Sequence, residues 1–250
     1  MRQIKVFVIS LTKSLKRREN IRSQLKRENI EFNFFDAVDG EKDNNILFKQ
    51  YNYLKTLWLT SGKMPLKGEL GCYASHFLLW EKCIELNEPI IIIEDDVEMV
   101  TGAGNELACI QKNIIKYGFL RLEKSDKGQL TLTKKEGQKT IYYLHNNFNG
   151  ARSYAITPNA SRALIACRDW CMPVDNYIGS NYLHKVPSFL YTPSLVINTN
   201  KFESTIQEKK REGCPLYRKP TRELYSIYRK VAMKITNMKL CRKISLDVKK

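Results

Sequence analysis

An α/β fold built on a mixed, mainly parallel sheet is what this sequence predicts, and three observations carry it. The chain opens strand, helix, strand within its first forty or so residues, the arrangement of a βαβ unit. Four consecutive isoleucines at 90–93 make a strand with no polar face, as expected where helices cover both sides of a sheet. The 250 residues, 43% of them hydrophobic, are enough to bury a core without disulfides or a structural metal.

The elements follow in order. Residues 4–9 are β-branched and almost continuously apolar, a buried parallel strand. Residues 14–29 place Leu15, Ile21 and Leu25 on one face of a charged helix. Residues 32–38 are aromatic and extended, and Asp39-Gly40 closes them in a turn where Gly40 can take a positive φ. Residues 46–59 read as a helix, and Ser61-Gly62 with Pro65 as a loop. Residues 70–86 form a helix with Leu70, Ala74, Phe77, Leu78 and Ile84 toward the core. The isoleucine strand then ends on Glu94-Asp95-Asp96. Further on, 105–116 reads as helix and 119–122 as strand. Residues 129–133 and 141–144 form a hairpin around a polar turn at 134–139. Residues 151–157 give a strand, 158–170 a helix, 177–183 a helix and 188–197 a last strand.

The charge is uneven. Against 26 Asp and Glu stand 42 Lys and Arg, a net +16 that calls for an anionic partner. From residue 201 onward there are 15 Lys and Arg and 5 Asp and Glu, so +10 of that charge sits in the last fifty residues. There, 222–243 is a helix with Leu224, Ile227, Tyr228, Val231, Ile235 and Met238 near helical spacing. Two readings stand for it: an anchor for an anionic membrane surface, or a helix docked on the domain with a solvated basic face. A nucleic-acid partner is not expected, because zinc spacing, an RNP-like motif and a helix-turn-helix are all missing. The seven cysteines are scattered, and Cys167 and Cys171 read as small buried hydrophobes rather than a zinc half-site. The longest apolar run is too short to cross a bilayer, and the N-terminus turns from apolar to basic, the reverse of a secretory signal. The expected location is therefore the cytoplasmic side, soluble or peripheral on a membrane.

The chemistry concentrates at Glu94-Asp95-Asp96. Open α/β sheets bind ligands outside the carboxyl ends of their strands. Three carboxylates there repel one another unless a cation or hydrogen-bond donors compensate. A solvated acidic strand end is the plain alternative; the position after a buried strand favours a metal–diphosphate site. No G-x-S-x-G, P-loop, G-x-G-x-x-G or H-E-x-x-H occurs, which removes most hydrolase and dehydrogenase readings. His76, alone on its helix, reads as a core or cap residue.

Four segments, VFVISLTKSLKRRENI, FFDAVDG, KGELGCYASHFLLWEKCI and IIIEDDVEM, together resemble the family 25 glycosyltransferases, which include bacterial lipooligosaccharide galactosyltransferases. GARSYAITPNASRALI followed by MPVDNYI is a weaker fifth match, and the likeness runs from Val6 to about Ile206. It implies a GT-A-like single nucleotide-sugar-binding domain at 1–206; the basic amphipathic helical extension at 207–250, read from composition and spacing, lies outside it. It implies an inverting transfer of a hexose, galactose from UDP-galactose, onto a lipooligosaccharide or lipopolysaccharide acceptor. Glu94-Asp95-Asp96 would be the DXD-like motif holding Mn²⁺ or Mg²⁺, with Asp96 on the metal and Glu94 on the metal or the ribose. Asp95 would point away, since neighbouring strand residues alternate faces.

The remaining site residues carry two readings each. Arg17 and Arg18 would answer the charge of a leaving diphosphate, or form an ordinary solvated helix face. Asp39 and Gly40 bind donor, or simply close a strand. Glu69, Gly71 and Ser75 open a helix where backbone can approach an anion, or form a capping arrangement. Asp175 is the first choice for the general base, with a helix N-cap as its alternative. Glu123 is the reserve base, and His145 and His184 are further metal-ligand candidates.

Overall fold

The computed structural model describes residues 3–42, 45–125, 129–198 and 213–248, with side chains to residue 244. Eight strands form the main sheet, in the spatial order β2 (Asn33–Asp36), β1 (Lys5–Ser10), β3 (Ile90–Glu94), β8 (Ser153–Ile156), β5 (Phe119–Arg121), β9 (Phe189–Thr192), β7 (Lys139–Leu144) and β6 (Leu130–Glu136). β1 pairs in parallel with β2 and β3, and β5 with β9. β8 and β7 run against the other six. This is the mixed, mainly parallel sheet the sequence predicts.

The isoleucine run explains how the layers close. Ile91 and Ile93 face a core shared with α1 (Leu15–Arg27) and α4 (Leu107–Tyr117), through Ile21, Leu25, Ile110 and Ile114. Ile90 and Ile92 face a second core shared with α3 (Lys67–Leu86) and α5 (Pro158–Cys167), through Leu79, Trp80 and Leu164. All four are at most 1% exposed, and each such side chain contributes roughly 1.5–3 kcal/mol by leaving water. Asn87 ends α3 in the left-handed region at φ 49° and sends the chain into β3.

Several boundaries differ from expectation, each for a local reason. Residues 46–59 are not one helix: a 3-10 turn, Ile46–Gln50, is followed by α2 (Tyr53–Trp58), whose start is capped by the Asn52 side chain. α3 begins at Lys67 because Glu69 accepts a hydrogen bond from the Leu66 N–H, 3.0 Å away. The hairpin turn is confined to Gly137 and its neighbours, Gly137 taking φ 60°, so β6 extends to Glu136. The single helix expected at 177–183 is two short ones, α6 (Val174–Ile178) and α7 (Asn181–His184). The last strand breaks after Thr192, and β10 (Val196–Asn198) leaves to pair with β4 (Val97–Met99).

The basic tail is α8 (Lys219–Val248), and it lies on the domain. Tyr143 Oη donates to Asn237 Oδ1 at 2.6 Å, Asn237 Nδ2 donates to the His145 carbonyl at 2.8 Å, and Leu240, Cys241 and Ile244 pack on the α1–α4 core. The boundary expected at residue 206 lies outside the described residues. Among those residues, no helix is long and apolar enough to cross a membrane.

Candidate functional site

Parallel pairing sets the carboxyl ends of β2, β1 and β3 side by side, with Ser10 opposite Asp36 and Ile9 opposite Glu94. A cleft of about 320 Å³ opens at that edge, walled by the ends of β1 and β3, the 37–41 turn and the first turns of α1 and α3. Of the sequence-predicted residues, Arg17, Asp39, Gly40, Ser75, Glu94, Asp95 and Asp96 line it. This is the place where open α/β sheets bind ligands.

The three carboxylates have different fates. Asp95 is tied down: Ser10 Oγ donates to its Oδ2 at 2.5 Å, and Arg17 Nη1 lies 3.4 Å from Oδ1. Burial still pushes its pKa up against those two partners. Glu94 accepts a hydrogen bond from His76 Nε2 at 3.2 Å. Burial alone would raise Glu94, but the His76 bond and the Arg152 and Arg17 charges hold it below the ordinary range. Asp96 feels the same two arginines but has no hydrogen bond like the one from His76. Its Oδ1 is buried without a hydrogen-bond partner, and burial, then repulsion from Glu94, pushes its pKa up to about 6.

His76 belongs to a relay. Trp80 Nε1 donates to Tyr154 Oη at 3.0 Å, and that hydroxyl lies 2.8 Å from His76 Nδ1. An ionised carboxylate only accepts, so Nε2 carries the proton donated to Glu94; in the neutral ring Nδ1 then accepts from the tyrosine hydroxyl, whose oxygen takes the indole N–H. All three rings are fully buried. The reading of His76 as a satisfied core histidine is therefore incomplete: its outer nitrogen aims Glu94 into the cleft.

The glycines and Ser75 shape the wall. A Cβ on Gly40 would sit 1.8 Å from the Lys67 carbonyl oxygen, and one on Gly71 would sit 2.4 Å from that of Val38. Gly40 does not take a positive φ, contrary to expectation; it is required because the turn backbone touches α3. Ser75 Oγ accepts from the Val38 N–H at 2.9 Å and donates to the Gly71 carbonyl at 2.7 Å, pinning the same turn. Asp39 takes a 2.5 Å hydrogen bond from Lys13 Nζ, which holds its carboxyl below the usual range.

Other candidates lie elsewhere. Arg18 points away from the cleft, donating to the Ser10 and Leu11 carbonyls and to Asp36. Glu69 serves as the α3 cap. Asp175 is not an N-cap, because Pro173 holds that position in α6. It lies near enough to Glu94 and Arg152 to feel both, and burial followed by Glu94 repulsion raises its pKa. Burial raises the pKa of the half-buried Cys72 thiol, and the charges of Glu94, Asp175, Asp96 and Glu69 add to that rise. Glu123 is committed: it accepts the Arg152 N–H at 3.1 Å, with Arg121 Nη2 and Arg152 Nη1 at 3.6 and 3.5 Å. Burial lifts its pKa to about 6 despite those arginines.

Neither spare histidine reaches the carboxylates. His145 pairs with Thr131 and Cys241 beneath α8. His184 accepts the Val186 N–H on Nδ1 and bonds the Tyr177 carbonyl through Nε2, and burial pushes its pKa down to about 4. Among the described residues, Cys72, His76 and Glu94 bring three potential metal-ligand atoms within 4.8 Å of one another. The relay already occupies both nitrogens of His76, which leaves the oxygens of Asp96 and Glu94 as the donors suited to a hard cation.

Arg152 is a charged neighbour of these carboxylates that sequence reasoning missed. Its carbonyl accepts the Glu94 N–H at 2.8 Å, and its charge acts on Glu94, Asp96, Glu123 and Asp175. Only the antiparallel pairing of β8 with β3 brings it there.

The model of glycosyltransferase family 25 (LPS biosynthesis protein) matches residues 3–178, which leaves α8 beyond the matched region. Lipooligosaccharide biosynthesis protein lic2B of Haemophilus influenzae is 32% identical over 173 residues, covering 64% of this chain and 62% of that one. A putative glycosyltransferase of Haemophilus influenzae is 28% identical over 215 residues, 81% of this chain and 75% of its own. Procollagen galactosyltransferase 2 of Mus musculus is 28% identical over 188 residues, 71% of this chain but 30% of its own. The chain thus spans less than two thirds of the first relative and under a third of the mouse protein.

Proposed function

Because the chain belongs to glycosyltransferase family 25, we propose that it transfers a hexose from a nucleotide-sugar donor to a bacterial lipooligosaccharide or lipopolysaccharide acceptor. UDP-galactose is the donor we favour, with inversion at the transferred carbon and a cytoplasmic site of action. The observation that carries the reading is Asp96: a buried carboxylate oxygen without a partner, beside Glu94, at the carboxyl edge of a parallel sheet.

The donor lies in the cleft with its diphosphate toward the acidic edge. Asp96, with Glu94, fits a hard divalent cation, because the oxygen is orphaned and Arg17 and Arg152 offset the crowded negative charge only in part. When bound, Mn²⁺ or Mg²⁺ stabilises the charge that develops on the leaving diphosphate. Arg17 reaches the same edge and adds a positive charge there while it holds Asp95. The Gly40–Gly71 contact and Ser75 keep the 38–40 turn closed on α3, which fixes the far wall against the base and ribose.

Attack needs a base for the acceptor hydroxyl. Asp175 is our choice, since its raised pKa suits proton uptake and, among the described residues, its carboxylate is held by the adjacent Asn176 N–H alone. Glu123 is bound to both neighbouring arginines, a placement better suited to holding Arg152 than to receiving a proton.

Turnover of a panel of nucleotide sugars, with and without Mn²⁺, tests the reading. One UDP-hexose is expected to be hydrolysed slowly, and only with metal. No turnover together with no nucleotide binding would refute it.

A further inference from the structure

Helix α8 docks through a mixed polar and apolar face and leaves an apolar stripe outward. The docked side carries Asn237, bonded to Tyr143 and to the His145 carbonyl, and near the start of the helix Thr221 and Arg222 donate to the carbonyls of Trp58 and Thr60. The apolar side chains expected to dock do not. Leu224 is 69% exposed, Ile227 58%, Tyr228 56%, Val231 51%, Ile235 43% and Met238 48%. At about 100° per residue these six fall within an arc of roughly 100°, nearly opposite the docked side. A surface helix normally does the reverse, and an apolar stripe of this length facing outward marks a binding surface.

The charge around the stripe identifies the occupant. Residues 219–243 hold eight Lys and Arg and one acid, Glu223. Lys230 and Lys234 border the stripe on one side and Lys239 on the other, all exposed. A second copy docking here would bring two such basic helices together, whereas an anionic bilayer complements both the apolar strip and its cations. Trp58 and Tyr217, in ring contact at 5.9 Å, stand exposed where α8 begins, and these side chains favour the headgroup level.

We propose that the outward face of α8 binds the surface of an anionic bilayer, with the stripe in the acyl boundary and the lysines among the headgroup phosphates. The docked end of the helix also leads toward the acceptor side. Thr60, which accepts from Arg222, donates through Oγ1 to the Cys171 carbonyl, four residues before Asp175. Membrane binding goes beyond the transfer reading and does not depend on it, because a vesicle without acceptor sugar presents the same surface.

Flotation of the full chain with phosphatidylcholine vesicles, with and without phosphatidylglycerol, tests the proposal. Binding is expected only to the anionic vesicles and is expected to weaken at high salt. Lys230→Ala with Lys234→Ala should lower partitioning about 25-fold, at about fivefold per cation. Ile227→Glu with Val231→Glu should abolish it while leaving the unfolding temperature unchanged, since both side chains are already exposed. No flotation of the wild-type chain, or equal flotation of the Glu variant, would overturn the proposal. So would a wild-type dimer that the Glu variant dissolves and that ignores vesicles, which would make a second copy the occupant.

Discussion

Replacing Asp96 by Asn should make the ligand-free protein more stable while removing its response to metal and nucleotide. The carboxyl is held at about 6 against an ordinary 3.8, a gap of roughly two pH units, and each unit corresponds to about 1.4 kcal/mol. A raised carboxyl means that the folded state binds the proton more tightly than the unfolded chain. Stability therefore falls as pH rises from about 4 to about 6 and stays at the lower value above that. Glu94 and Asp95 share the repulsion, so the ionised Asp96 costs the fold about 1–3 kcal/mol at neutral pH. Asn has no such titration and retains the shape. In a chain of this size the gain corresponds to a rise of roughly 2–10 °C in unfolding temperature.

Thermal unfolding of both proteins across pH reads this directly. The advantage of Asp96→Asn should open between about pH 4 and pH 6 and vanish at the acid end. Mn²⁺ with UDP should raise the unfolding temperature of the wild-type chain and leave the variant unmoved. A variant less stable than wild type at neutral pH would show that Asp96 has a partner in the fold. An equal response of the variant to Mn²⁺ and UDP would place the cation elsewhere.

Three further outcomes bear on the same site. His76→Ala removes the donor that holds Glu94; hydrogen bonds to charged groups are worth about 1.5–3 kcal/mol. Its metal-dependent nucleotide Kd should rise about tenfold or more by calorimetry, and an unchanged Kd refutes the relay. Asp175→Asn should slow transfer to acceptor by about 10²–10⁴-fold with nucleotide Kd unchanged; a loss of nucleotide binding instead would move Asp175 to the donor side. Gly71→Ala puts a Cβ 2.4 Å from the Val38 carbonyl oxygen and should destabilise by about 1–3 kcal/mol, read as a fall in unfolding temperature. An unaltered midpoint would mean that the 38–40 turn is free to move off α3.

Most of the sheet was legible in the sequence because its signals are local. The isoleucine run and the 4–9 strand show their burial by lacking any polar face, and α/β alternation follows from their spacing. The β4–β10 pair left no such mark, since each strand is three residues long and the two are about a hundred residues apart. Site residues divide along the same line. Glu94, Asp95 and Asp96 stand together in sequence and were visible. Which of the three is paired was not, because that depends on Ser10 and Arg17 arriving from the first βα unit. Gly40 and Gly71 stand out in the sequence as glycines, but the contact that requires them is mutual, which no single-chain pattern displays.

The net charge of +16 is a poor guide to the catalytic edge, and the structure explains why. Charge in the cleft is set by which cations reach the carboxylates, not by how many the chain carries. Arg17 and Arg152 reach them; no cation of α8 is among the main charges acting on Glu94, Asp95 or Asp96. Arg17 acts on Glu94, Asp95 and Asp96, and Arg152 on Glu94, Asp96, Glu123 and Asp175. Even so, burial and mutual repulsion leave Asp96 raised, so two arginines do not balance the cluster. A basic protein thus keeps an acidic pocket short of positive charge. The cations on α8, held at a distance from that pocket, are free to meet an anionic surface without competing for the site that a divalent ion would fill.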